Sequence, residues 1–565
     1  MLTAPKLKII QELIAGSTKE ELIWMNGYLA GVVATQSEAS ESNQATATPA
    51  VGKITIAYGT ESGNSKKLAT DFATKAKKRG IAAKLVSLDQ YRLNDLLKEE
   101  YFFTVISTQG EGEPPAAAKK FYDHIHKNGF KLDKLKFGVL ALGDTAYPLF
   151  CKAGEDVDAQ LQRLGGERII SLQKCDLDYE SDAGNWFGEV LQKLGGTAGQ
   201  VVPSISPVAK KTTGKKTYQG TILSTINLND RGSQKQTQHI EISANELDYL
   251  PGDSIGIVPD NSTPLVESIV NLTGIDSRKL LPYRNDKITV FELLKKKLNI
   301  VHLPERVVKK YAALVQQDIP ETKIGLYELL KIYPVRDHGQ FEEVIEILEP
   351  IAPRLYSVSS SPSAHSGEVH LTVARDKFSV NEELKYGLCS DHLCQLDVGD
   401  SLEFYVHKNS QFKLPAEDKD VIMIGPGTGI APFRAFMAER DSLGASGRNW
   451  LFFGDQHFSS DFLYQTEFQD WLRTGVLTRM NVAFSRDQQK KNYVQHKMLS
   501  HGAAFYEWLL AGAYIYICGA KEPMSIDVEN TILAIFQLFG NKTTTEAEQA
   551  LDQMKEEGRY LKDVY

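Results

Sequence analysis

The chain has 565 residues, of which 42% are hydrophobic and 24% charged, and its formal net charge at pH 7 is −8. This length predicts about three or four domains, and the acidic balance gives no reason to expect nucleic-acid binding. No run is long and apolar enough for a membrane-spanning helix, no signal-peptide pattern opens the chain, and the five cysteines do not form a disulfide scaffold. We expect a cytoplasmic protein without a metal site.

The first 50 residues predict a helical segment followed by a linker. Residues 1–35 carry amphipathic helical patterns, and Ser17 or Thr18 is the predicted cap of a helix. Residues 36–50 are rich in Ser, Thr, Ala and Glu, a composition typical of a flexible linker.

Residues 51–198 alternate between strand and helix patterns, which predicts a doubly wound parallel sheet. Two helical patterns, Ser65–Lys78 and Ala116–His126, lie between the strands. The strand candidates are Ile54–Tyr58, Ala83–Ser87, Tyr101–Ser107, Phe137–Leu142 and Arg168–Leu172.

A second boundary lies at residues 199–217, where Pro, Gly, Lys and Thr predict a linker. Residues 218–415 show strand–turn–strand patterns, interrupted by a mostly helical block at about 262–350, which indicates a helical insertion into an antiparallel barrel. Residues 416–565 again alternate between β and α patterns.

Two glycine-rich loops follow apolar strand candidates, at Gly59–Ser65 and at Gly425–Pro432. Each suits a phosphate bound by backbone N–H groups at a helix N-terminus. The first loop lacks a Walker lysine and offers hydroxyl donors, so it fits a monophosphate better than a nucleoside triphosphate. Two such loops predict more than one nucleotide-like cofactor, and hence electron or hydride transfer.

Two further loops, Thr108–Pro115 and Gly143–Cys151, should reach the same sheet edge as Gly59–Ser65. The glycines allow backbone to approach a flat ring, and Tyr147 could stack on that ring. Together the three loops resemble the flavodoxin-type FMN loops of diflavin reductases. The FMN-binding residues that this resemblance implies are Thr60, Glu61, Ser62, Gly63, Asn64, Ser65, Ser107, Thr108, Gln109, Gly110, Leu142, Gly143, Asp144, Thr145, Ala146, Tyr147, Pro148, Leu149, Phe150 and Cys151.

A third site is indicated by Arg354, which can neutralise a diphosphate, and by a turn at Gly387 that can supply N–H donors to it. Arg354–Ser357 and Gly387–Ser390 resemble the FAD-binding barrel of the ferredoxin–NADP reductase family. The FAD-binding residues that the resemblance implies are Arg354, Leu355, Tyr356, Ser357, Thr372, Val373, Ala374, Phe378, Gly387, Leu388, Cys389, Ser390 and Tyr565.

The loop at Gly425–Pro432 resembles the nicotinamide-nucleotide loop of that same family. Arg486 and Lys491, with nearby hydroxyls, suit a 2′-phosphate, so NADPH is preferred over NADH. The implied NADPH-binding residues are Gly427, Thr428, Ser485, Arg486, Lys491, Asn492, Tyr493, Val494, Gln495 and Asp527. Ser357, Cys518 and Asp563 match the family's hydride-transfer cluster, and Tyr565 matches the terminal aromatic that covers the flavin.

The implied fold is a flavodoxin-like domain followed by a ferredoxin–NADP reductase-like module, and the implied activity is hydride transfer from NADPH to FAD with single electrons passing to FMN. The segment Thr18–Gly31 resembles the leader of bacterial sulfite reductase flavoprotein subunits, which that family uses for oligomer assembly. The expected partner is a separate sirohaem and iron–sulfur haemoprotein that reduces sulfite to sulfide. A soluble reductase for a cytochrome P450 or for methionine synthase, and a non-catalytic flavin redox sensor, are the alternatives.

Overall fold

The computed structural model describes residues 51–60, 63–110, 112–127, 129–145, 147–176, 179–195, 216–283, 286–320, 324–380 and 383–565. The predicted N-terminal segment 1–50, most of the predicted linker 199–217, and the predicted site residues Glu61, Ser62 and Ala146 lie outside the described residues. The described chain divides into two compact units, the first of which contains the first parallel sheet.

The first sheet is parallel, with strand order β2-β1-β3-β4-β5 and with β6 also paired to β4. Apolar clusters lie on both of its faces, because side chains of a buried parallel sheet alternate between two covered faces. The predicted doubly wound sheet is confirmed. Its elements are β1 (Lys53–Gly59), α1 (Asn64–Lys78), β2 (Ala82–Ser87), a 3-10 helix (Leu93–Lys98), β3 (Tyr101–Ser107), α2 (Ala116–Lys127), β4 (Lys136–Leu142), α3 (Lys152–Arg163), β5 (Glu167–Arg168), β6 (Gln173–Cys175) and α4 (Glu180–Leu194).

The predicted strand Arg168–Leu172 is wrong in its bounds. Only Arg168 of that stretch lies in β5, and pairing with β4 resumes at Gln173. Between the two strands the Ile169 N–H still donates to the Phe137 carbonyl of β4, but the Ile169 carbonyl accepts from Lys193 and the Ser171 carbonyl accepts from the indole of Trp186.

The second unit, which also includes Gln109–Glu113 and Gly143–Lys152, contains an antiparallel sheet of order β12-β9-β16-β7-β8-β13. An isolated bridge between Val358 and Leu371 brings the chain after β12 to β13, so the two edges of this sheet meet as in a barrel. The barrel core consists of apolar side chains from these strands. The elements are β7 (Thr217–Asn227), β8 (Thr237–Ala244), β9 (Ser254–Ile257), β12 (Arg354–Ser357), β13 (Glu368–Ala374), β14 (Lys377–Val380), β15 (Glu383–Tyr386), α10 (Leu388–Cys394) and β16 (Ser401–His407).

A helical block with its own apolar core separates β9 from β12, as the sequence predicts. It also contains an antiparallel hairpin, β10 with β11, that was not expected from the helical pattern. The elements are α5 (Thr263–Thr273), β10 (Leu280–Tyr283), β11 (Asp286–Thr289), α6 (Val290–Lys296), α7 (Glu305–Val315), α8 (Leu326–Ile332) and α9 (His338–Ile347).

The third sheet is parallel, with strand order β19-β18-β17-β20-β21 and apolar clusters on both faces. The strand order reverses between β17 and β20, which makes this the switch point where open α/β sheets bind ligands. The elements are β17 (Val421–Ile424), a 3-10 turn (Gly427–Ile430), α11 (Ala431–Leu443), β18 (Asn449–Asp455), α12 (Phe458–Asp461), α13 (Gln465–Thr474), β19 (Arg479–Phe484), α14 (Val494–Ser500), α15 (Gly502–Leu510), β20 (Tyr514–Gly519), a turn (Lys521–Ser525), α16 (Ile526–Gly540), α17 (Thr544–Glu556) and β21 (Tyr560–Val564).

Gly252 lies in close contact with another part of the backbone in the second unit. Its φ is +87°, and a Cβ built on it would lie 1.8 Å from the Phe412 carbonyl oxygen. Gly252→Ala should therefore lower the free energy of unfolding by at least about 2 kcal/mol, because both a strained φ and a backbone clash are imposed. The measurement is the denaturation midpoint of this unit.

Gly399→Ala is the matched control, since Gly399 has a φ of +94° but no atom within 4 Å of the added Cβ. Only the conformational strain applies there, about 1 kcal/mol. Equal losses in the two variants would contradict the role of the close backbone approach.

Candidate functional site

The first candidate site lies at the carboxyl edge of the first sheet. The strand order reverses between β1 and β3, so the loops that leave these strands begin side by side. The Thr60 hydroxyl accepts from the Gly63 N–H at 2.8 Å, and Gly63 has a φ of +88° at the start of α1. This turn directs the first N–H groups of α1 toward the edge of the sheet.

Ser65 and Asn64 carry polar atoms at this helix start that are buried without a partner among the described residues. These atoms are the Ser65 hydroxyl oxygen and the Asn64 side-chain oxygen. A buried polar atom without a partner is costly. The Ser65 hydroxyl can donate to an anionic oxygen, so this loop fits the phosphate of FMN.

The second loop closes on itself at the end of β3. Gln109 and Glu113 exchange two main-chain hydrogen bonds of 2.8 and 2.9 Å, and Gly110 and Gly112 have φ values of +52° and +92° between them. The Thr108 hydroxyl accepts from the N–H of Ala153 at 3.3 Å, and the Ser107 hydroxyl lies 3.5 Å from the Gly59 carbonyl.

The third loop follows β4 at Leu142 and packs closely against the second. A Cβ on Gly112 would lie 2.8 Å from the Leu149 side chain, and one on Gly143 would lie 2.8 Å from the main-chain nitrogen of Cys151. Tyr147 is half-buried, and burial raises the pKa of its hydroxyl. The other predicted residues of this loop, Asp144, Thr145, Pro148 and Phe150, lie on the same curled segment.

The second candidate site lies on the barrel. Arg354 and Leu355 are exposed at the start of β12, whereas burial raises the pKa of Tyr356 well above its usual range. The thiol of Cys389 donates to the Ile257 carbonyl at 4.0 Å, and burial raises the pKa of that thiol to about 11.

Gly387 precedes α10, so that Leu388, Cys389 and Ser390 form its first turn. The Ser390 hydroxyl donates to the Gly387 carbonyl at 3.1 Å and accepts from the Asp376 N–H at 3.1 Å. A Cβ on Gly387 would lie 3.0 Å from the Ser390 oxygen, so the turn has no room for a larger residue without adjustment. The exposed Arg354 and this compact turn suit the diphosphate of FAD.

Some predicted FAD residues have side chains that are already engaged. Thr372 is buried and its hydroxyl lies 2.6 Å from the hydroxyl of Tyr464. Val373 belongs to the barrel core. Ala374 ends β13, and Phe378 is half-buried on β14 with its ring 5.8 Å from that of His302.

The third candidate site lies at the switch point of the third sheet. A Cβ on Gly425 would lie 2.4 Å from the Gly429 carbonyl oxygen, and one on Gly429 would lie 2.2 Å from the Cys518 carbonyl oxygen. Gly427, in contrast, has a φ of +57° and open space around its Cβ position. Gly425 and Gly429 thus permit the close packing of the loop, while Gly427 presents bare backbone to a ligand.

The residues predicted for the 2′-phosphate lie at the carboxyl end of β19. The Ser485 and Arg486 N–H groups donate to the carbonyls of Asp455 and Gln456, each at 2.9 Å. Arg486 and Lys491 are exposed, and neither forms an ion pair within the described part of the chain. Two unpaired cations at a strand end fit a phosphate group.

The neighbouring predicted residues divide into exposed and buried groups. Tyr493 is 41% exposed, Asn492 is half-buried, and Val494 belongs to the core of the sheet. Gln495 donates to the Asp527 carboxylate at 3.1 Å, which joins α14 to α16.

The predicted hydride-transfer residues come together between the barrel and the third sheet. The Ser357 hydroxyl donates to the Asp563 carboxylate at 2.8 Å, and Asp563 pairs in register with Cys518 across β20 and β21. Burial raises the pKa of Asp563, against the opposing effects of the Ser357 hydrogen bond and of His407 and Lys413. Burial also raises the pKa of the Cys518 thiol well above its usual range, so the thiol is protonated.

Tyr565 follows directly on β21. Its N–H donates to the Gly519 carbonyl at 3.1 Å, and its hydroxyl lies 2.7 Å from that of Thr428. The residue is 66% exposed, and the Thr428 hydroxyl is the polar partner of its side chain.

Sequence reasoning missed a buried polar cluster that joins the barrel to the third sheet. Arg434, in the first turn of α11, contacts His370 of β13 and the ring of Tyr464, and Tyr464 in turn contacts His239 of β8. The available signal was the spacing of His239 with Glu241 and of Glu368 with His370, which places each pair on one face of a strand.

Three family models match separate parts of this chain. The family described as "Flavodoxin" matches residues 56–186, "FAD binding domain" matches residues 310–392 and "Oxidoreductase NAD-binding domain" matches residues 423–530. The sulfite reductase [NADPH] flavoprotein alpha-component of Bacillus subtilis (strain 168) is 40% identical, over 99% of this chain and 98% of the relative. Proteins of the same name from Shewanella sp. (strain ANA-3) and Vibrio parahaemolyticus are 36% and 35% identical, over 100% and 98% of this chain and over 98% and 94% of the relatives.

The chain belongs to the diflavin reductase family, together with these sulfite reductase [NADPH] flavoprotein alpha-components. The predicted enzyme class, an NADPH-dependent flavin oxidoreductase, is confirmed at the level of the family, as are the predicted cofactors FMN, FAD and NADPH. The roles of the individual site residues stay predictions. In the part of the chain that the structure describes, no helix is both long and apolar enough to cross a membrane.

Ser357→Ala tests the hydrogen bond to Asp563. The bond stabilises the ionised carboxylate, so its loss should raise the pKa of Asp563 further. If the carboxylate supports hydride transfer, the acidic limb of the pH profile for flavin reduction moves upward by about one pH unit. The measurement is the pH dependence of flavin reduction by NADPH in a stopped-flow spectrometer.

Ser363→Ala is the matched control, because Ser363 also donates to a carboxylate, that of Glu439, at 3.0 Å, but on the protein surface. Its pH profile should equal that of the unmodified protein. An unshifted acidic limb in Ser357→Ala would show that this bond does not set the ionisation that limits the reaction.

Proposed function

We propose that this chain is the flavoprotein component of an assimilatory, NADPH-dependent sulfite reductase. It takes reducing equivalents from NADPH and delivers single electrons to a separate haemoprotein, which reduces sulfite to sulfide for cysteine biosynthesis. The proposed location is the cytoplasm.

The observation that carries this proposal is the full-length similarity to relatives that bear this name. The alignment with the Bacillus subtilis protein covers 99% of this chain. It therefore includes most of residues 1–50, the segment whose pattern resembles the leader of sulfite reductase flavoproteins. That segment supports assembly into a homo-oligomer and distinguishes this proposal from a reductase for another acceptor.

The proposed division of labour follows the predicted domains. Residues 51–198 hold FMN through the loops after β1, β3 and β4, residues 218–415 hold FAD on the barrel, and residues 416–565 hold NADPH at the switch point of the third sheet. The bound cofactors supply hydride transfer and its conversion into single-electron steps.

The chain's own residues orient and shield the reaction. The loop at Gly427 and the cations Arg486 and Lys491 bind the nucleotide at both ends, which fixes the nicotinamide near Cys518. Ser357 orients the Asp563 carboxylate, and this buried negative charge stabilises positive charge as hydride leaves the nicotinamide. The protonated Cys518 thiol adds a small polarisable group without a competing charge.

Tyr565 is proposed to cover the flavin until nicotinamide arrives. Its main chain is held by β20, so the tail stays in place while the side chain moves. Release of the side chain breaks one hydrogen bond, to Thr428, which costs about 1 kcal/mol. A barrier of this size is small enough for the nucleotide to displace the ring on binding.

Reconstitution with a haemoprotein tests the proposed acceptor. The flavin-loaded chain is mixed with a sirohaem-containing sulfite reductase haemoprotein, and NADPH oxidation is followed with and without sulfite. We expect sulfite-dependent oxidation with stoichiometric sulfide, and growth of a strain that lacks its own flavoprotein on sulfate as the sulfur source.

Two other outcomes would overturn the proposed acceptor or the proposed enzyme, and a third would overturn the proposed role of residues 1–50. Turnover with a cytochrome P450 or with methionine synthase but not with the haemoprotein would identify a different acceptor. Failure of NADPH to bleach the two flavins anaerobically would indicate a redox sensor instead of an enzyme. A variant without residues 1–50 that stays as oligomeric as the full chain would remove the proposed role of that segment.

The preference for NADPH over NADH is tested by Arg486→Ala and Lys491→Ala. Each variant should raise the KM for NADPH by about 10-fold to 100-fold and leave the KM for NADH unchanged, because only NADPH has the 2′-phosphate that these cations neutralise. Lys490→Ala, at an exposed neighbouring cation, is the control and should change neither value. Parallel losses for both nucleotides would contradict the assignment.

A further inference from the structure

Arg434 is a buried guanidinium placed just after the nucleotide loop. It lies in the first turn of α11, which begins one residue beyond the turn Gly427–Ile430, and it is 6% exposed. Its Nε donates to Glu467 at 2.7 Å, and its Nη1 donates to the Ser359 carbonyl at 2.7 Å and to His370 Nδ1 at 3.1 Å. Both N–H groups of Nη1 therefore have partners on the barrel.

A guanidinium can only donate hydrogen bonds, so the nitrogen of His370 that faces Arg434 must be an acceptor. This determines which ring nitrogen of His370 carries the proton. Because Nδ1 accepts from Arg434, the ring proton lies on Nε2, where it is donated to the Glu368 carboxylate at 3.0 Å. Burial and the charge of Arg434 lower the pKa of His370 to about 2, so the ring is neutral at physiological pH. The contact is thus a directional hydrogen bond from a charged donor to a neutral acceptor.

A second histidine continues the same arrangement. His239 Nδ1 lies 2.9 Å from the Tyr464 hydroxyl and its Nε2 lies 3.2 Å from Glu241. Burial lowers the pKa of His239 to about 4. The Arg434 guanidinium lies 4.9 Å from the centroid of the Tyr464 ring, so His370 contacts this cation directly and His239 is joined to it through Tyr464.

A metal site is the competing reading of this cluster. Ligand-type atoms of His239, Glu241 and His370 lie within 4.8 Å of one another. However, a metal at His370 Nε2 would require the proton to move to Nδ1, which faces an Arg434 donor. The hydrogen bonds therefore favour a structural connection between the barrel and α11 over a metal centre.

The two barrel partners of Arg434 lie close in sequence to predicted reaction residues. Ser359 is two residues after Ser357, the donor to Asp563, and His370 is two residues before Thr372 on β13. At this spacing His370 and Thr372 face the same side of the strand. A shift of Arg434 would therefore move the nucleotide loop relative to the parts of the barrel that hold flavin.

We infer that Arg434 and His370 form a positioning pair that sets the nucleotide loop against the flavin barrel for hydride transfer. The inference rests on NADPH oxidation at this site, as proposed above. The pair touches neither nicotinamide nor flavin, and it acts by holding the helix that follows the loop. Since small misplacement of reacting groups strongly slows a reaction, the pair should affect the rate of hydride transfer more than nucleotide affinity.

Two replacements of His370 test whether the hydrogen-bond acceptor at the position of Nδ1 is the part of the side chain that matters. Asn places an amide group near the position of Nδ1 and keeps an acceptor for Arg434, whereas Gln reaches toward the position of Nε2 and does not. His370→Gln should slow flavin reduction at saturating NADPH by at least about 10-fold, with the Kd for NADP⁺ changed by less than about twofold. His370→Asn should keep the rate within about threefold of the unmodified protein.

Hydrogen–deuterium exchange gives a readout that does not depend on turnover. In flavin-loaded protein without nucleotide, the peptide covering Ala431–Leu443 should exchange faster in His370→Gln than in His370→Asn. His501→Asn and His501→Gln, at a histidine that contacts Asn481 outside this cluster, are the matched controls and should show no such difference.

Arg434→Lys is the second variant and covers the case in which His370→Gln does not fold. It keeps the charge but not the forked donors, so the same loss of rate with unchanged NADP⁺ affinity is expected. The inference is overturned if His370→Gln and His370→Asn reduce flavin equally fast, or if Arg434→Lys retains the full rate. Absence of NADPH oxidation in the unmodified protein would instead overturn the proposed function.

Discussion

The predicted nucleotide site at the third sheet depends on one close approach between two backbones. Gly429 lies so near the Cys518 carbonyl that no side chain fits between them, and Gly425 folds back on the Gly429 carbonyl. The loop after β17 is therefore held against the end of β20, and the second neighbour of β20 in the sheet is β21. Cys518 and Asp563 pair across β20 and β21, so one contact between main chains places the nucleotide loop, the thiol and the carboxylate at a single sheet edge.

Burial gives these polar groups different protonation states, and each state suits its position. The Cys518 thiol and the His370 ring are both neutral, the first because burial raises its pKa and the second because burial and Arg434 lower it. Asp563 has a raised pKa but keeps a hydrogen bond from Ser357 that favours the carboxylate. The neutral Cys518 thiol leaves Asp563 as the acidic group beside Ser357, so the charge of its carboxylate has no competition there from a thiolate.

Local signals in the sequence predicted the elements and loops well, because their causes lie within a few residues. The helix pattern Ser65–Lys78 corresponds to α1 at Asn64–Lys78, and both glycine loops lie after the strands that were predicted to precede them. The strand Arg168–Leu172 was wrong because Trp186 and Lys193, on a later helix, take over its main-chain carbonyls. The Arg434 cluster was missed for the same reason. Its members come from four separate elements, and nothing near Arg434 in sequence shows that its partners are Ser359 and His370.

The Arg434 cluster also explains why its histidines need not be charged to hold the barrel and the third sheet together. A buried ion pair loses much of its attraction to desolvation, whereas a neutral imidazole accepts from a guanidinium at a much smaller cost. Glu467 balances the charge of Arg434 on one side, and the Tyr464 ring lies against the guanidinium on another. The N–H groups of Arg434 Nη1 then donate directional hydrogen bonds to the Ser359 carbonyl and to His370 Nδ1. Directional hydrogen bonds of this kind fix the distance and the angle between two elements. Hydride transfer between two bound rings requires that both be fixed.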